Sequence, residues 1–158
     1  MITVQDNLNN KKKRRKNMNS EKKTATILED VKINVKIKLA ALWVAVNLLY
    51  LYVDIYSFFR PGIIEDAIAG KVWEFQITQV WLLGVIILMT IPSLMVFLSL
   101  TLSAKANRWA NIIVGIFEIV FVVSGAIGES WVYYIFASIV EVVLLLLIVR
   151  YAWKWPKQ

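Results

Sequence analysis

The chain has 158 residues, of which 59% are hydrophobic, and a formal net charge of +7. It contains no Cys and no His, which excludes disulfides, Zn–thiolate sites, His-ligated haem and thiol redox chemistry. The hydrophobic residues gather in four long blocks instead of recurring at the period of an amphipathic helix or strand. This arrangement is typical of a multi-pass membrane protein.

The N-terminal segment, residues 1–26, is polar and rich in Asn and Lys, and 11 of the 18 Lys and Arg residues lie at or before Lys38. It has too little apolar surface to form a core, so we predict a disordered polybasic tail, followed by a juxtamembrane lead-in at 27–36. We expect its basic run to attract anionic lipid rather than nucleic acid, because no interleaved aromatic residues or folded binding module accompany it. The run consists of Lys11, Lys12, Lys13, Arg14, Arg15 and Lys16.

Four membrane spans are predicted at residues 37–59, 80–102, 110–127 and 131–151, the third being the shortest. At about 1.5 Å per residue, each can cross a hydrocarbon core of about 30 Å. Lipid offers no hydrogen-bond partners to the backbone, so each span must be a helix. The sequence therefore predicts an all-α fold, a four-helix transmembrane bundle over 37–153 with a short polar end at 154–158.

The connections between the spans alternate in charge. The first contains Arg60 and Lys71 against three acids, the second contains Lys105 and Arg108, and the third has no cation. By the positive-inside rule, both termini are expected in the cytoplasm.

Tryptophans fall close to the predicted ends of the spans, where indole rings favour the boundary between water and lipid. Trp43 lies within two turns of such an end, and Arg108 is expected to anchor the third span beside Trp109. The tryptophans predicted at the ends are Trp81, Trp109, Trp131 and Trp153.

In the first connection, Pro61 precedes and Gly70 follows a short amphipathic turn, which predicts a small interfacial helix.

Three acids lie inside predicted spans: Asp54 near the outer boundary, Glu118 in the third span and Glu141 near the midplane. A carboxylate at the centre of a membrane helix costs about 2.5–3.5 kcal/mol on insertion scales, so such side chains usually face the bundle interior or a wet cavity. At helical spacing each acid shares a face with two small or polar residues, which predicts three polar stripes. The stripes are Asn47, Tyr50 and Asp54; Asn111, Gly115 and Glu118; and Tyr134, Ser138 and Glu141.

These acids have two interpretations. They could form a path for protons or cations, with Asn47 and Tyr50 contributing. Alternatively, Asp54 is hydrated or paired with Arg60, while Glu118 and Glu141 are protonated and hydrogen-bonded between helices as structural groups. A divalent metal held by carboxylates is a third arrangement, but without His no metal or cofactor is expected.

Pro92 interrupts the second span and predicts a kink, because it removes one backbone donor and frees the Leu88 carbonyl. The hydroxyl of Thr90 or Ser93 could satisfy that carbonyl. Asn107 is predicted to cap the third helix.

The strings DIYSFFRPG (54–62), ANRWANIIVG (106–115) and YYIFASIVEVVLLLLIVRYAWKWP (133–156) resemble a family of small, uncharacterised four-helix integral membrane proteins of bacteria. The resemblance runs from about Lys36 to Pro156. Its most specific parts are Asp54 with Pro61 and Gly62, residues 76–78, Pro92, residues 107–112, and Glu141 with Trp153. The resemblance implies the architecture and a bacterial inner membrane, but no activity. Relatives often have an acid where this chain has Thr90, and Glu118 is not one of the family's signature residues.

No nucleophile–base pair, nucleotide-binding loop or cofactor motif is visible, so an enzyme is not expected. Two functions stay open. One is a small proton- or cation-linked transporter or channel, with a homo-oligomer widening a thin enclosure. The other is a non-transporting membrane scaffold or subunit whose buried acids are structural.

Overall fold

The computed structural model describes residues 3–24, 32–72 and 75–155. They form six helices and one antiparallel two-stranded hairpin. The helices are α1 (Thr3–Thr24), α2 (Val35–Ser57), α3 (Ile63–Ile68), α4 (Gln79–Thr101), α5 (Ala104–Ala126) and α6 (Val132–Trp153). The strands are β1 (Lys71–Val72) and β2 (Phe75–Gln76). The chain divides into two compact units, Met1–Lys32 and Ile33–Gln158.

Four helices are long and apolar enough to cross a membrane, namely α2, α4, α5 and α6. The predicted all-helical fold is therefore confirmed, and the four long apolar helices coincide with the four predicted spans, which indicates a multi-pass membrane protein. Helix α2 packs against α4 and α6, while α5 packs against α6 and, less extensively, against α4. Helices α2 and α5 consequently face each other diagonally across the bundle.

The third span is longer than predicted. Helix α5 begins at Ala104, directly after its N-cap Ser103, and not near residue 110. The cations at its start do not break the helix, since Lys and Arg are good helix formers whose charged ends reach water. Asn107 is therefore not the cap, and its buried side chain instead contacts the neighbouring helix α4.

Local hydrogen bonds define where α2 begins and where α4 begins and ends. The Asn34 side chain accepts a hydrogen bond from the Lys36 backbone N–H at 2.9 Å, which caps α2. Thr78 caps α4 in the same way, through the Trp81 N–H at 3.1 Å. At the other end of α4, Lys36 donates to the Leu102 carbonyl at 2.7 Å, placing a cation on the negative end of that helix.

The N-terminal segment differs from the predicted disorder, because Thr3–Thr24 is a helix. Residues 6–17 within it are exposed. The physical reason is local: the segment has no Gly or Pro, and Lys and Arg favour helix without any burial. The lead-in at 27–31 lies outside the described residues.

The connection between α2 and α4 contains the predicted short helix, α3, between Gly62 and Gly70. Both glycines have positive φ, +88° and +76°, a conformation that L side chains rarely adopt. The β1–β2 hairpin that follows was not predicted, since its strands have only two residues each.

The bundle has two unlike halves. We call the end where α2 starts and α6 finishes the terminal end, and the end that carries α3 the loop end. In α2 and α4, every buried residue lies in the half toward the terminal end, where Trp43 and Leu39 are fully buried. In α5 and α6, burial continues through both halves. The core is therefore closed at the terminal end and looser at the loop end.

Candidate functional site

Glu118 lies in the interior of the bundle and has a partner. Its side chain is 3% exposed, and its Oε2 accepts a hydrogen bond from the Tyr50 hydroxyl at 3.0 Å. The two residues belong to the diagonal pair α5 and α2, so the bond crosses the centre of the bundle. Two of the three predicted polar stripes thus meet here.

Glu141 is buried to the same degree, at 4% exposed, on the face of α6 that also buries Ser138. Its Oε1 is buried and has no hydrogen-bond partner among the residues that the structure describes. A buried carboxyl oxygen without a partner is costly, so such a group marks either strain or a site that binds something. Glu141 therefore differs from Glu118, whose carboxyl accepts a hydrogen bond from Tyr50.

Asp54 is exposed, one turn beyond Tyr50 toward the loop end. The suggested pair of Asp54 with Arg60 is wrong, because Arg60 forms a two-point ion pair with Glu129, at 2.8 and 3.3 Å. Asp54 is therefore the accessible acid of the three.

The Arg60–Glu129 pair ties two connections together at the loop end. Glu129 also accepts the backbone N–H groups of Ser130 and Trp131, at 2.8 and 3.1 Å, and Arg60 lies 5.0 Å from the Trp131 ring centroid. Burial raises the pKa of the Glu129 carboxyl, but the hydrogen bonds from Trp131, Arg60 and Ser130 outweigh it. The pKa of Glu129 thus lies below its usual range.

A closed polar network fills the terminal half around Asn111. Its Oδ1 accepts from the Trp43 indole N–H at 2.7 Å and from the Ser99 hydroxyl at 3.2 Å. Its Nδ2 donates to the backbone carbonyl and the side-chain oxygen of Asn107, at 2.9 and 2.6 Å. All four hydrogen-bonding positions of this amide are used, and all four side chains are fully buried. Sequence reasoning missed this network, although two Asn residues one helical turn apart are a signal for it.

The interpretation of Trp43 is corrected by the same contacts. It was expected in the aromatic belt, but it is fully buried and bonded to Asn111. An indole that finds an acceptor inside the bundle no longer needs the water boundary to satisfy its N–H. Trp109, Trp131 and Trp153 are exposed beside the ends of α5 and α6, and their place in the aromatic belt stays a prediction.

The polar groups around Pro92 differ from the expected arrangement. Helix α4 continues through Pro92, which is buried. The Thr90 hydroxyl donates to the Ile86 carbonyl, not to Leu88. The Ser93 hydroxyl lies 2.8 Å from Asn47 Oδ1 and 2.9 Å from the Met89 carbonyl, and its single proton can serve only one of them at a time. Asn47 thus bridges to α4 and does not face the acids.

Helices α5 and α6 approach closely at Gly115, three residues before Glu118. A Cβ atom at this position would lie 2.8 Å from Val149 Cγ2, closer than real contacts allow. A glycine is needed here for packing, so its place in the predicted polar stripe has a structural explanation.

The chain belongs to a family of unknown function, DUF6326, whose profile matches residues 27–158. This confirms the resemblance to an uncharacterised family. No curated protein and no solved structure matches the chain. The matched range contains all four candidate spans and every residue of the site, whereas α1 lies outside it.

In this DUF6326 member, two hollows lie between α2 and α6 toward the loop end. The larger, of about 400 Å³, is lined by Leu49, Tyr52, Val53, Tyr56, Tyr133 and Ala137. The smaller, of about 340 Å³, shares Tyr56 and Tyr133 with it and extends to Arg60. Neither is lined by Asp54, Glu118 or Glu141. These two hollows therefore lie beside the acids.

Proposed function

We propose that this protein is a small proton- or cation-linked membrane transporter or channel in which Glu141 is the carboxyl that binds the ion. The observation that carries the proposal is the buried Glu141 side chain with an unpartnered Oε1. A carboxyl that has no internal partner gains most from taking up a proton or coordinating a cation. Glu118, by contrast, already accepts from Tyr50 and serves as a structural group.

The two halves of the bundle suggest the direction of access. Asp54 is exposed on α2, one turn beyond Tyr50 toward the loop end. Toward the terminal end, the Asn111 network and the buried side chains of Leu145 and Ile148 close the interior. An ion would therefore enter from the loop end through Asp54 and reach Glu141, and release at the other end would require the packed half to open.

The same proposal includes a topology and an assembly. The terminal end faces the cytoplasm and the loop end faces outward, because the cations concentrate at the terminal end. The proposed location is a bacterial inner membrane, which the resemblance to small bacterial membrane proteins implies. Four helices enclose little space, so the working unit is a homo-oligomer. In this proposal the protein is a transporter or channel and not an enzyme.

The test is ion flux into liposomes that contain the purified protein, under an imposed pH gradient and, in parallel, Na⁺ or K⁺ gradients. Wild type is compared with Glu141→Gln, Asp54→Asn and the control Glu65→Gln, which changes an exposed acid of α3 at the loop end. We expect flux in wild type and Glu65→Gln, loss in Glu141→Gln and a reduced rate in Asp54→Asn. Absence of flux in wild type, or full flux in Glu141→Gln, would contradict the proposal.

A second candidate, a non-transporting subunit or scaffold, is favoured by the saturated Asn111 network, which suits a rigid structural centre. The same experiment distinguishes the two. A wild type without flux, together with a Glu141→Gln variant whose thermal unfolding temperature changes, would make the acids structural.

A further inference from the structure

Six cations lie at the terminal end of the bundle. They come from three separate parts of the chain that the fold brings together: the start of α2, the start of α5 and the end of α6. Residues 33–40, 98–112 and 145–155, which build this end, contain no Asp or Glu. The cations are Lys36, Lys38, Lys105, Arg108, Arg150 and Lys154. Within these three described segments, every charged side chain is therefore a cation.

Arg108 differs from the other five in how its side chain is held. Its guanidinium carbon lies 5.9 Å from the ring centroid of Trp109 and 5.8 Å from that of Trp153, so the indoles of α5 and α6 flank it. Its Nε is buried and has no hydrogen-bond partner within the part of the chain that is described. Two aromatic contacts, and not an acceptor on the protein, fix the group in place.

Two of the other cations already have contacts. Lys36 donates to carbonyls at the end of α4, and Lys38 lies 5.6 Å from the Tyr151 ring centroid. The ion pair found among the described residues joins Arg60 to Glu129, at the opposite end of the bundle. Arg108 is therefore a positioned guanidinium whose donors are not committed to a protein carboxylate.

We propose that Arg108, held between Trp109 and Trp153, binds the phosphate of an anionic phospholipid headgroup at the junction of α5 and α6. A planar guanidinium matches a phosphate through two parallel hydrogen bonds, which an ammonium cannot reproduce. Both indoles are about half exposed, at 50% and 61%, and lie where the headgroup region of the bilayer would meet the helix ends. The surrounding cations also attract anionic headgroups, but they do not select one binding position.

The experiment measures lipid retention by native mass spectrometry on the full chain, purified and exchanged into phosphatidylglycerol or phosphatidylcholine. We expect wild type to retain phosphatidylglycerol in preference to phosphatidylcholine. Arg108→Gln should lower the retained anionic lipid roughly tenfold. The control Arg150→Gln removes an exposed Arg of the same surface and should have little effect.

Two further variants keep the test decisive if Arg108→Gln folds poorly. Arg108→Lys keeps the charge but loses the planar pair of donors, so retention should fall to an intermediate value. Trp153→Leu keeps Arg108 but removes one flanking ring and should also weaken retention. Equal losses in Arg108→Gln and Arg150→Gln, equal retention of both lipids, or displacement of the lipid by inorganic phosphate would each overturn the proposal.

Discussion

Tyr50 of α2 donates its hydroxyl proton to Glu118 of α5 at 3.0 Å, across the diagonal of the four-helix bundle. A second diagonal bond, from Trp43 to Asn111, joins the same two helices closer to the terminal end. Helices on a diagonal are too far apart for two small side chains to meet, so each connection uses an aromatic side chain of α2, Tyr50 or Trp43. Both bonds require that α2 and α5 turn these faces toward each other.

We expect Tyr50→Phe to destabilise the protein by about 1–3 kcal/mol, because it leaves a buried carboxyl without its donor. The measurement is the free energy of unfolding in detergent, followed by circular dichroism. Tyr52→Phe is the matched control, since Tyr52 lies on the same helix but is 53% exposed. Equal effects of the two substitutions would show that the bond to Glu118 contributes nothing.

Asn111→Leu is expected to lower stability more than Tyr50→Phe, because it leaves Trp43, Ser99 and Asn107 with buried polar groups that have lost their partner. Each such group costs about 1–3 kcal/mol. The control is Ile113→Ala, at a position of α5 that is 63% exposed. Tryptophan fluorescence provides an independent check, since the buried Trp43 should become accessible to a water-soluble quencher. Unchanged stability would mean that the network is not needed for packing.

Gly115→Ala is expected to destabilise the protein, because the added Cβ would lie 2.8 Å from Val149 Cγ2. Overpacking of this kind costs about 1–3 kcal/mol, against a gain of about 1 kcal/mol in helix propensity. Gly84→Ala is the matched control, since nothing lies within 4 Å of its Cβ position, and it should be neutral or stabilising.

A double variant tests the cause of the Gly115 effect. Val149→Ala removes the methyl group that the new Cβ would meet, so Gly115→Ala should cost less in that background than in wild type. The four unfolding free energies form a cycle, and an interaction term of zero would refute the proposed close contact.

Stability at the loop end should depend on pH through Glu129. Its pKa is lower in the folded protein than its usual value, so its ionised form stabilises the fold at neutral pH. The contribution is fully present above the usual carboxyl pKa and is lost as the pH falls through the lower folded value. We expect wild type to lose stability over this acidic range and Glu129→Gln to lose less. Parallel pH profiles of the two proteins would exclude this role.

The proposed topology can be tested because the chain contains no Cys. Ser103→Cys places a thiol at the N-cap of α5, at the terminal end, and Ser130→Cys places one in the connection before α6, at the loop end. In intact bacterial cells, a membrane-impermeant maleimide should label the second variant and not the first. The reverse pattern would invert the proposed orientation.

The sequence alone was sufficient to predict four helices that are long and apolar enough to cross a membrane, and where three of them begin within a few residues. Long apolar blocks have one solution in lipid, because every backbone group must be paired within its own segment. It also indicated which faces of α5 and α6 turn inward, since Asn111 and Glu118 recur at helical spacing in α5, as Ser138 and Glu141 do in α6.

Only the tertiary structure decided which polar residues meet. Tyr50 could have faced Asp54 or Glu141 as well as Glu118, and Arg60 could have paired with Asp54 instead of Glu129. Helical spacing gives the face of one helix but not its rotation or depth against the next. These depend on close packing at positions such as Gly115 and on bonds between residues about 70 positions apart, as from Trp43 to Asn111. The unpartnered oxygen of Glu141 and the flanking of Arg108 by two indoles follow from that packing and not from any motif.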